Sequence, residues 1–276
     1  MATYRYVLVD VFTDTPLQGN QLAVFTDARG IHEEQLQPLA REINFSETVF
    51  VYPAEGDGHA RMRIFTPSLE LPFAGHPVLG TAFVLSGPLQ LDELRLETGA
   101  GIVPVRLERD GSRIVFGWMR QPQFPFEPYD RAAELLAVLG VEESGLPVEL
   151  YRQGPGHVLI ELGSTGAVAA LRPDSVALLE VNADGTCCFA RDGETWKARV
   201  FVPGHGVGED PATGSAAGPL ALHLARHGRI AFGDEIEIRQ GAEIGRPSTL
   251  YAVARSPEEV EVGGSAVVVA RGEFRL

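Results

Sequence analysis

Residues 61–67 read RMRIFTP and residues 197–203 read KARVFVP. Both stretches carry basic residues at their first and third positions, then an apolar β-favouring step, Phe and a closing Pro. That is the pattern of a strand that stops abruptly. The two lie 136 residues apart. Downstream, DELRLETGAGI at 92–102 matches DEIEIRQGAEI at 234–244, now 142 apart. Between them each half holds a glycine-led apolar helix, AGHPVLGTAFVLSG from Ala74 and TGSAAGPLALHLARHG from Thr213, 139 apart. Separations that grow in order are what a duplicated unit with small insertions leaves behind.

Each half therefore reads as strands, an open loop, a helix apolar on nearly every side, and more strands. A helix of that kind needs enclosure, which a strongly curved sheet of its own half supplies. The strands are expected at YRYVLVDVF, LAVF, TVFVY, ARMRIF, ELRLE, VPVRLE and RIVFGW in the first half, and at HVLIEL, CCFA, ARVFV, EIEIR, LYAVA and SAVVVA in the second. Pro77 is read as the first helical residue of its helix, Ser215 as an N-cap and Gly228 as a C-terminal stop. A further helix is expected over 32–43, interrupted by Pro38. The Pro-rich stretch FPFEPYDRAAELLAVLG is the expected connection. The fold class is α+β, with an N-terminal lobe over 1–125, a C-terminal lobe over 126–276, and the last strand, about 265–276, packing back on the first lobe.

Composition narrows the function classes. The chain has 276 residues, 45% of them apolar, and a net charge of −14, so its long-range field repels nucleic acid and anionic membrane. Lys197 is its one lysine, which removes a phosphate-binding P-loop lysine and any choice of Schiff-base lysine. Two adjacent cysteines, Cys187 and Cys188, make neither a disulfide framework nor a cysteine-rich zinc site. The start lacks a long apolar segment and no apolar run approaches 18 residues, so a cytoplasmic, soluble protein is expected.

If both glycine-led helices begin at one cleft, their free N–H groups and dipole ends converge on a small volume suited to a small anion. The long-range charge does not forbid this, because local dipoles set the potential there. The loops feeding the helices carry Glu70 and His76 on one side, and Glu209, Asp210, Thr213 and Ser215 on the other. Ser46 and Glu47 stand at the entry of an apolar strand, where a carboxyl beside Phe45, Val49 and Phe50 takes a raised pKa and can return a proton near neutrality. Structural roles compete at each position: Glu47 as a solvated or capping residue, His76 as a helix cap, Asp210–Pro211 as a turn. His223 and His227 resemble one edge of a zinc site, but no Glu follows His223 and no third ligand is in sight, so they read as a solvated face. GHGVG at 204–208 is a poor dinucleotide fingerprint, and Asn44–Phe45–Ser46 is a sequon without a secretory context.

Four motifs, DVFTDTPLQGNQLAVF, FSETVFV, FAGHPVLGTA and EDPATGSAAG, resemble those of the PhzF-like family of phenazine biosynthesis, which shares the diaminopimelate epimerase type of fold. The resemblance runs from end to end. It implies two pseudo-symmetric lobes, each a curved, barrel-like, mostly antiparallel sheet around a central helix, with the site in the cleft between them. It implies a cofactor-independent isomerase of a small cyclic carboxylic acid, of the trans-2,3-dihydro-3-hydroxyanthranilate isomerase kind, with Glu47 as proton carrier. Asp210 and His76 then orient the substrate, while Ser46, Thr213, Ser215 and the backbone N–H groups of Gly75 and Gly214 bind it. No metal and no cofactor is implied, and a homodimer is. The related epimerases carry a cysteine just before each helix glycine. Here those places hold Ala74 and Thr213, neither of which acts as a thiolate base. Two other readings stay open: an isomerase or epimerase of another small carboxylate, and a metabolite-binding homologue without turnover.

Overall fold

The computed structural model describes residues 2–121, 123–152, 156–205 and 208–276. The alternating apolar positions of the expected strands do form strands. In the first half, Thr3–Val11 pairs antiparallel with Asn20–Phe25, which runs parallel to Glu47–Tyr52. That strand is antiparallel to Ala60–Phe65, which is parallel to Glu93–Thr98, and Gly101–Asp110 and Arg113–Arg120 follow antiparallel. In the second half, Glu149–Arg152 pairs antiparallel with Gly156–Glu161, which runs parallel to Gly185–Asp192. The series continues antiparallel to Thr195–Phe201, parallel to Glu235–Gln240, and antiparallel through Ser248–Ser256 to Glu259–Gly264. The two series of parallel and antiparallel pairs are the same. Arg113–Arg120 and Glu259–Gly264 pair with each other, so the whole forms one mixed α+β sheet system. The last strand, Ala266–Arg275, lies antiparallel to Thr3–Val11, and Phe126–Pro128 does the same for Glu149–Arg152.

The likeness extends to side chains. Two residues before Phe65, Arg63 forms a fork on Glu70 at 2.7 and 2.6 Å. In the same place before Phe201, Arg199 forms a fork on Glu209 at 2.8 and 2.6 Å. Each guanidinium also lies over the ring of its Phe, at 5.1 and 4.9 Å. The third-position arginine of the two opening heptapeptides thus clamps the short strand that leads into each helix. Register extends the match. Thr48 faces Phe65, which faces Glu70, and Thr186 faces Phe201, which faces Glu209. Glu47 therefore corresponds in position to Gly185, and Leu71 to Asp210.

The two apolar helices span Gly75–Leu89 and Gly214–Arg226. Val78, Leu79 and Ala82 on the first and Leu220, Ala221, Leu222 and Leu224 on the second are all but inaccessible. The first packs against Thr3–Val11, Asn20–Phe25 and Arg113–Arg120, and the second against Gly156–Glu161, Ser248–Ser256 and Glu259–Gly264. Such burial is the main favourable term holding elements that have no polar face.

Several local expectations change. Thr213, not Ser215, occupies the N-cap position, and no side chain caps that end; Ser215 is the second helical residue and its hydroxyl turns to His157. Pro77 is the third helical residue of its helix, after Gly75 and His76, where its missing N–H still falls among the four that a first turn leaves unpaired. Pro38 does not interrupt its helix, which runs unbroken over Glu33–Ile43, because the carbonyl it leaves unpaired belongs to the exposed Glu34. Gly228, at φ +71, follows the C-cap His227 as the expected left-handed stop. The short helices Thr165–Ala170 and Ser175–Val181 and the strand Glu149–Arg152 carry too little periodicity to read from sequence, whereas the strand Glu259–Gly264, EVEVGG, alternates yet is absent from the expected strands.

Candidate active site

The two helices meet end to end at their glycines. A Cβ on Gly75 would lie 2.8 Å from the Cα and carbonyl carbon of Gly214, and one on Gly214 would lie 3.1 Å from the Cα of Gly75 and 3.0 Å from the Phe12 ring. Only residues without side chains let two helix starts approach this closely. Around that point opens a narrow cleft, lined by Ser46, Glu47, Ala74, Gly75, His76, His157, Val202, Asp210, Thr213, Gly214 and Ser215. Ser46, Glu47, Gly75, His76, Asp210, Thr213, Gly214 and Ser215, all read from the sequence as site residues, line it, whereas Glu70 and Glu209 of the same loops do not, each being held by an arginine.

Each carboxyl comes from a different half. Glu47 begins the strand Glu47–Tyr52, and its side chain is 13% exposed. Burial, reinforced by the nearby Asp210 charge, raises its pKa well above the ordinary 4.5. Its Oε2 lies 3.2 Å from His76 Nε2, yet neither atom makes a hydrogen bond, the contact being too oblique. Two buried polar atoms thus face the cleft without a protein partner. Burial also holds His76 neutral, its pKa pushed down to about 3 against a hydrogen bond to the Gln21 backbone.

Asp210 ends the short strand Glu209–Asp210. Its Oδ2 accepts from the Thr213 hydroxyl at 2.6 Å and its Oδ1 from Asn20 Nδ2 at 2.9 Å. Burial raises its pKa to about 6, opposed by the hydrogen bonds of Thr213, Asn20 and Ser46. Gln240 braces the same turn, donating to the Asp210 carbonyl at 2.7 Å and to Thr213 Oγ1 at 2.9 Å. The arrangement pairs two carboxyls whose pKa values are both raised by burial, Glu47 without a hydrogen-bond partner at Oε2 and Asp210 with hydrogen bonds at both oxygens, beside two helix N-termini that favour an anion.

Three contributors escaped the sequence reading. Asn20 reaches across the halves, its Nδ2 lying 3.2 Å from His76 Nδ1 and also donating to the Ala212 carbonyl at 2.9 Å. Its signal was a polar residue opening an apolar strand directly after Gly19, which sits at φ +68. His157 opens the apolar run HVLIEL and meets Ser215 Oγ at 2.9 Å. Gln240 gave no signal, being one of several polar residues at a strand end.

Cys187 and Cys188 lie buried in the sheet away from the cleft lining, and burial raises the Cys187 thiol to about 12 and Cys188 further, so neither supplies a thiolate. Asn44 of the sequon is the left-handed C-cap of its helix, at φ 56. Part of GHGVG, residues 206–207, lies outside the described residues.

The reading of His223 and His227 as a solvated face is overturned. His223 is fully buried, and the third ligand type it lacked in sequence arrives from a distant strand: Glu149, His223 and His227 present atoms within 4.8 Å of one another. Glu149 Oε2 lies 3.1 Å from His223 Nδ1 and 3.3 Å from His227 Nε2. The same oxygen already accepts from Arg226 Nη1 at 2.6 Å and from the Tyr151 hydroxyl at 2.8 Å. A metal ion there would have to displace the guanidinium. Burial opposes ionisation of Glu149, but Arg226, Tyr151 and His227 together bring its pKa down to about 2. The cluster reads as an ion-pair anchor between a strand and the end of the second helix. Glu149→Gln leaves Arg226 without its counter-charge and lowers the unfolding free energy by about 3 kcal/mol at pH 7. Because the folded pKa is depressed, that difference is present above about 4.5 and shrinks as pH falls towards about 2, which urea titrations at several pH values measure.

Comparison with known proteins now bears on this geometry. Residues 9–272 match the model of the PhzC-PhzF family, described as phenazine biosynthesis-like protein. The chain is 50% identical over 277 residues to the trans-2,3-dihydro-3-hydroxyanthranilate isomerase of Pseudomonas aeruginosa, covering 99% of this chain and 100% of that one. It is 47% identical, with the same coverage, to the protein of that name from Pseudomonas fluorescens. Among solved structures, the Bacillus anthracis phenazine biosynthesis protein of the PhzF family superposes with a TM-score of 0.84 at 27% identity over 100% of both chains. A hydroxyproline epimerase from Agrobacterium vitis superposes with a TM-score of 0.70 at 14% identity, over 99% of this chain and 91% of the other, a likeness of fold alone. Among the described residues, no helix is long and apolar enough to cross a membrane.

Proposed function

From the premise that this chain belongs to the phenazine biosynthesis-like PhzC-PhzF family, we propose that it is an isomerase that moves a proton along the ring of trans-2,3-dihydro-3-hydroxyanthranilate. The observation that carries the mechanism is the asymmetry of the cleft. In matching positions of the two halves stand Glu47 and Gly185, and the other carboxyl of the cleft, Asp210, has both oxygens held by Thr213 and Asn20, which leaves Glu47, with Oε2 unpartnered, as the proton carrier. A racemase needs an acid and a base on opposite faces; a single carrier suits a shift between two carbons on one face.

Glu47, protonated at rest, gives its proton to one ring carbon and, as carboxylate, takes the proton released from the other. One C–H bond forms, one breaks, and nothing is oxidised or reduced. His76, neutral and with Nε2 unpartnered beside Glu47, orients the substrate together with Asp210, which takes its cationic or hydroxyl donors. The N–H groups at Gly75 and Gly214, with Ser215, hold the substrate's carboxylate, while Thr213 and Ser46, whose hydroxyls hydrogen-bond Asp210, fix that carboxyl for its part in binding. We place these groups between two lobes, roughly 1–125 with the last strand and 126–276, that close on the ligand to exclude water. The same reading has the enzyme work without a cofactor, in the cytoplasm and as a homodimer, the last checked by sedimentation equilibrium.

Turnover of dihydrohydroxyanthranilate in deuterated water tests the activity. The expected product carries one ring deuterium; an unchanged substrate together with turnover of another cyclic carboxylate transfers the chemistry to that acid. The Asp210 environment adds a pH signature. With its pKa raised to about 6, kcat/KM of the wild type bends near pH 6, and Asp210→Asn removes the bend while lowering kcat/KM about 100-fold.

A further inference from the structure

His157 stands where the pairing pattern leaves room for it. It is the second residue of the strand Gly156–Glu161, is 1% exposed, and faces Gly185 across a parallel pair. A Cβ at Gly185 would come within 2.2 Å of His157 Nδ1, so any side chain at 185 displaces the ring. Gly185 is the positional counterpart of Glu47, and the imidazole that lies over it lines the cleft. The relation of each ring or carboxyl to its helix is also paired. Glu47 meets His76, second residue of the first helix, at 3.2 Å, and His157 Nε2 meets Ser215 Oγ, second residue of the second helix, at 2.9 Å.

We propose that His157 is a positioning residue that donates from Nε2 to Ser215 Oγ and so turns the Ser215 hydroxyl proton towards the substrate's carboxylate. A serine hydroxyl has one proton and two lone pairs. When an imidazole N–H fills a lone pair, the hydroxyl proton is left for an anion, beside the N–H groups of the same helix start. Without the imidazole, that proton is free to rotate away to the backbone, and the anion loses one fixed donor. The duplication thus kept one cleft position for proton transfer, at Glu47, and gave its counterpart to anion orientation, with Gly185 as the permissive residue.

This inference rests on the isomerase reading for its substrate but not for its chemistry, and the test separates the two. Calorimetric binding of anthranilate, a carboxylate ring without the transferable proton, is measured for wild type, His157→Asn, His157→Gln, Ser215→Ala and the double variant His157→Asn/Ser215→Ala. The Asn amide reaches only the Nδ1 position, whereas the Gln amide reaches that of Nε2. Expected are an affinity about 10-fold weaker for His157→Asn, recovery to within about 3-fold of wild type for His157→Gln, and a double variant no weaker than Ser215→Ala. In turnover, His157→Asn raises KM by a similar factor and leaves kcat within about 3-fold. Losses that add in the double variant, equal behaviour of Asn and Gln, or a wild type without anthranilate affinity overturn the proposal. Absent turnover with the coupled anthranilate losses intact overturns the isomerase reading and leaves His157 in its role.

Discussion

Glu47→Gln is expected to lower kcat by about 1000-fold or more and to abolish deuterium transfer from solvent to the product ring, while the protein stays folded. The amide has the shape of the neutral acid that the cleft already holds, so nothing in the packing changes. What disappears is the proton that Glu47 gives up and takes back. The variant also separates catalysis from stability. Burial raises the Glu47 pKa above the ordinary 4.5, so the folded state binds a proton there that the unfolded chain releases. Wild-type stability is therefore greatest below about 4.5 and falls as pH rises through the folded pKa, while the Gln variant lacks that loss. At pH 7 the inactive variant should be the more stable protein, and the gap should close on acidification to pH 4.5. Urea unfolding at the two pH values measures this. An equally active variant would remove Glu47 from the mechanism, and an inactive variant that is less stable at neutral pH would refute the buried, protonated state.

The second large effect belongs to a residue with no side chain. Gly75→Ala places a Cβ 2.8 Å from the backbone of Gly214, in contact with atoms that cannot rotate aside as a side chain would. The helix starts must separate, and the converging N–H groups that define the anion site separate with them. Loss of about 1–3 kcal/mol of stability is expected from overpacking, with carboxylate affinity lost more than 10-fold. The comparison that isolates the cause is Gly87→Ala, on the same helix but far from the cleft, where a Cβ meets nothing within 4 Å beyond its chain neighbours and anthranilate affinity is expected to stay within about 3-fold of wild type. Thermal unfolding and anthranilate binding of the two variants provide the check. A Gly75→Ala protein that binds as the wild type does would mean that the helix starts are not the anion site.

The repeat was legible because duplication leaves its mark on residues whose type matters locally. Arg63 and Arg199 each clamp a glutamate on the strand that leads into a helix, and that local need preserved the heptapeptide signal in both halves. Gly75 and Gly214 were legible for the same reason, since a close backbone approach admits only glycine. Glu47, His76 and Asp210 stood out as chemistry-bearing residues at the mouths of apolar elements. Asn20, His157 and Gln240 did not, because their roles are set by partners far along the chain: Asn20 spans 190 residues to Asp210, and His157 spans 58 to Ser215. The misreading of His223 had the same origin. Helical spacing showed the i, i+4 pair, but burial beneath Tyr151 and the approach of Glu149, 74 residues away, appear only when the strand folds back on the helix.

The sequence by itself thus determined the α+β class, the duplicated unit, the family resemblance and the residue types of the cleft, since these depend on local periodicity and side-chain chemistry. Tertiary structure alone decided which positions of the two halves correspond. Pairing register sets Glu47 against Gly185 and Leu71 against Asp210, so a twofold scaffold holds a one-sided site. Register is a long-range property, set by how apolar faces and backbone hydrogen bonds match across strands distant in the chain.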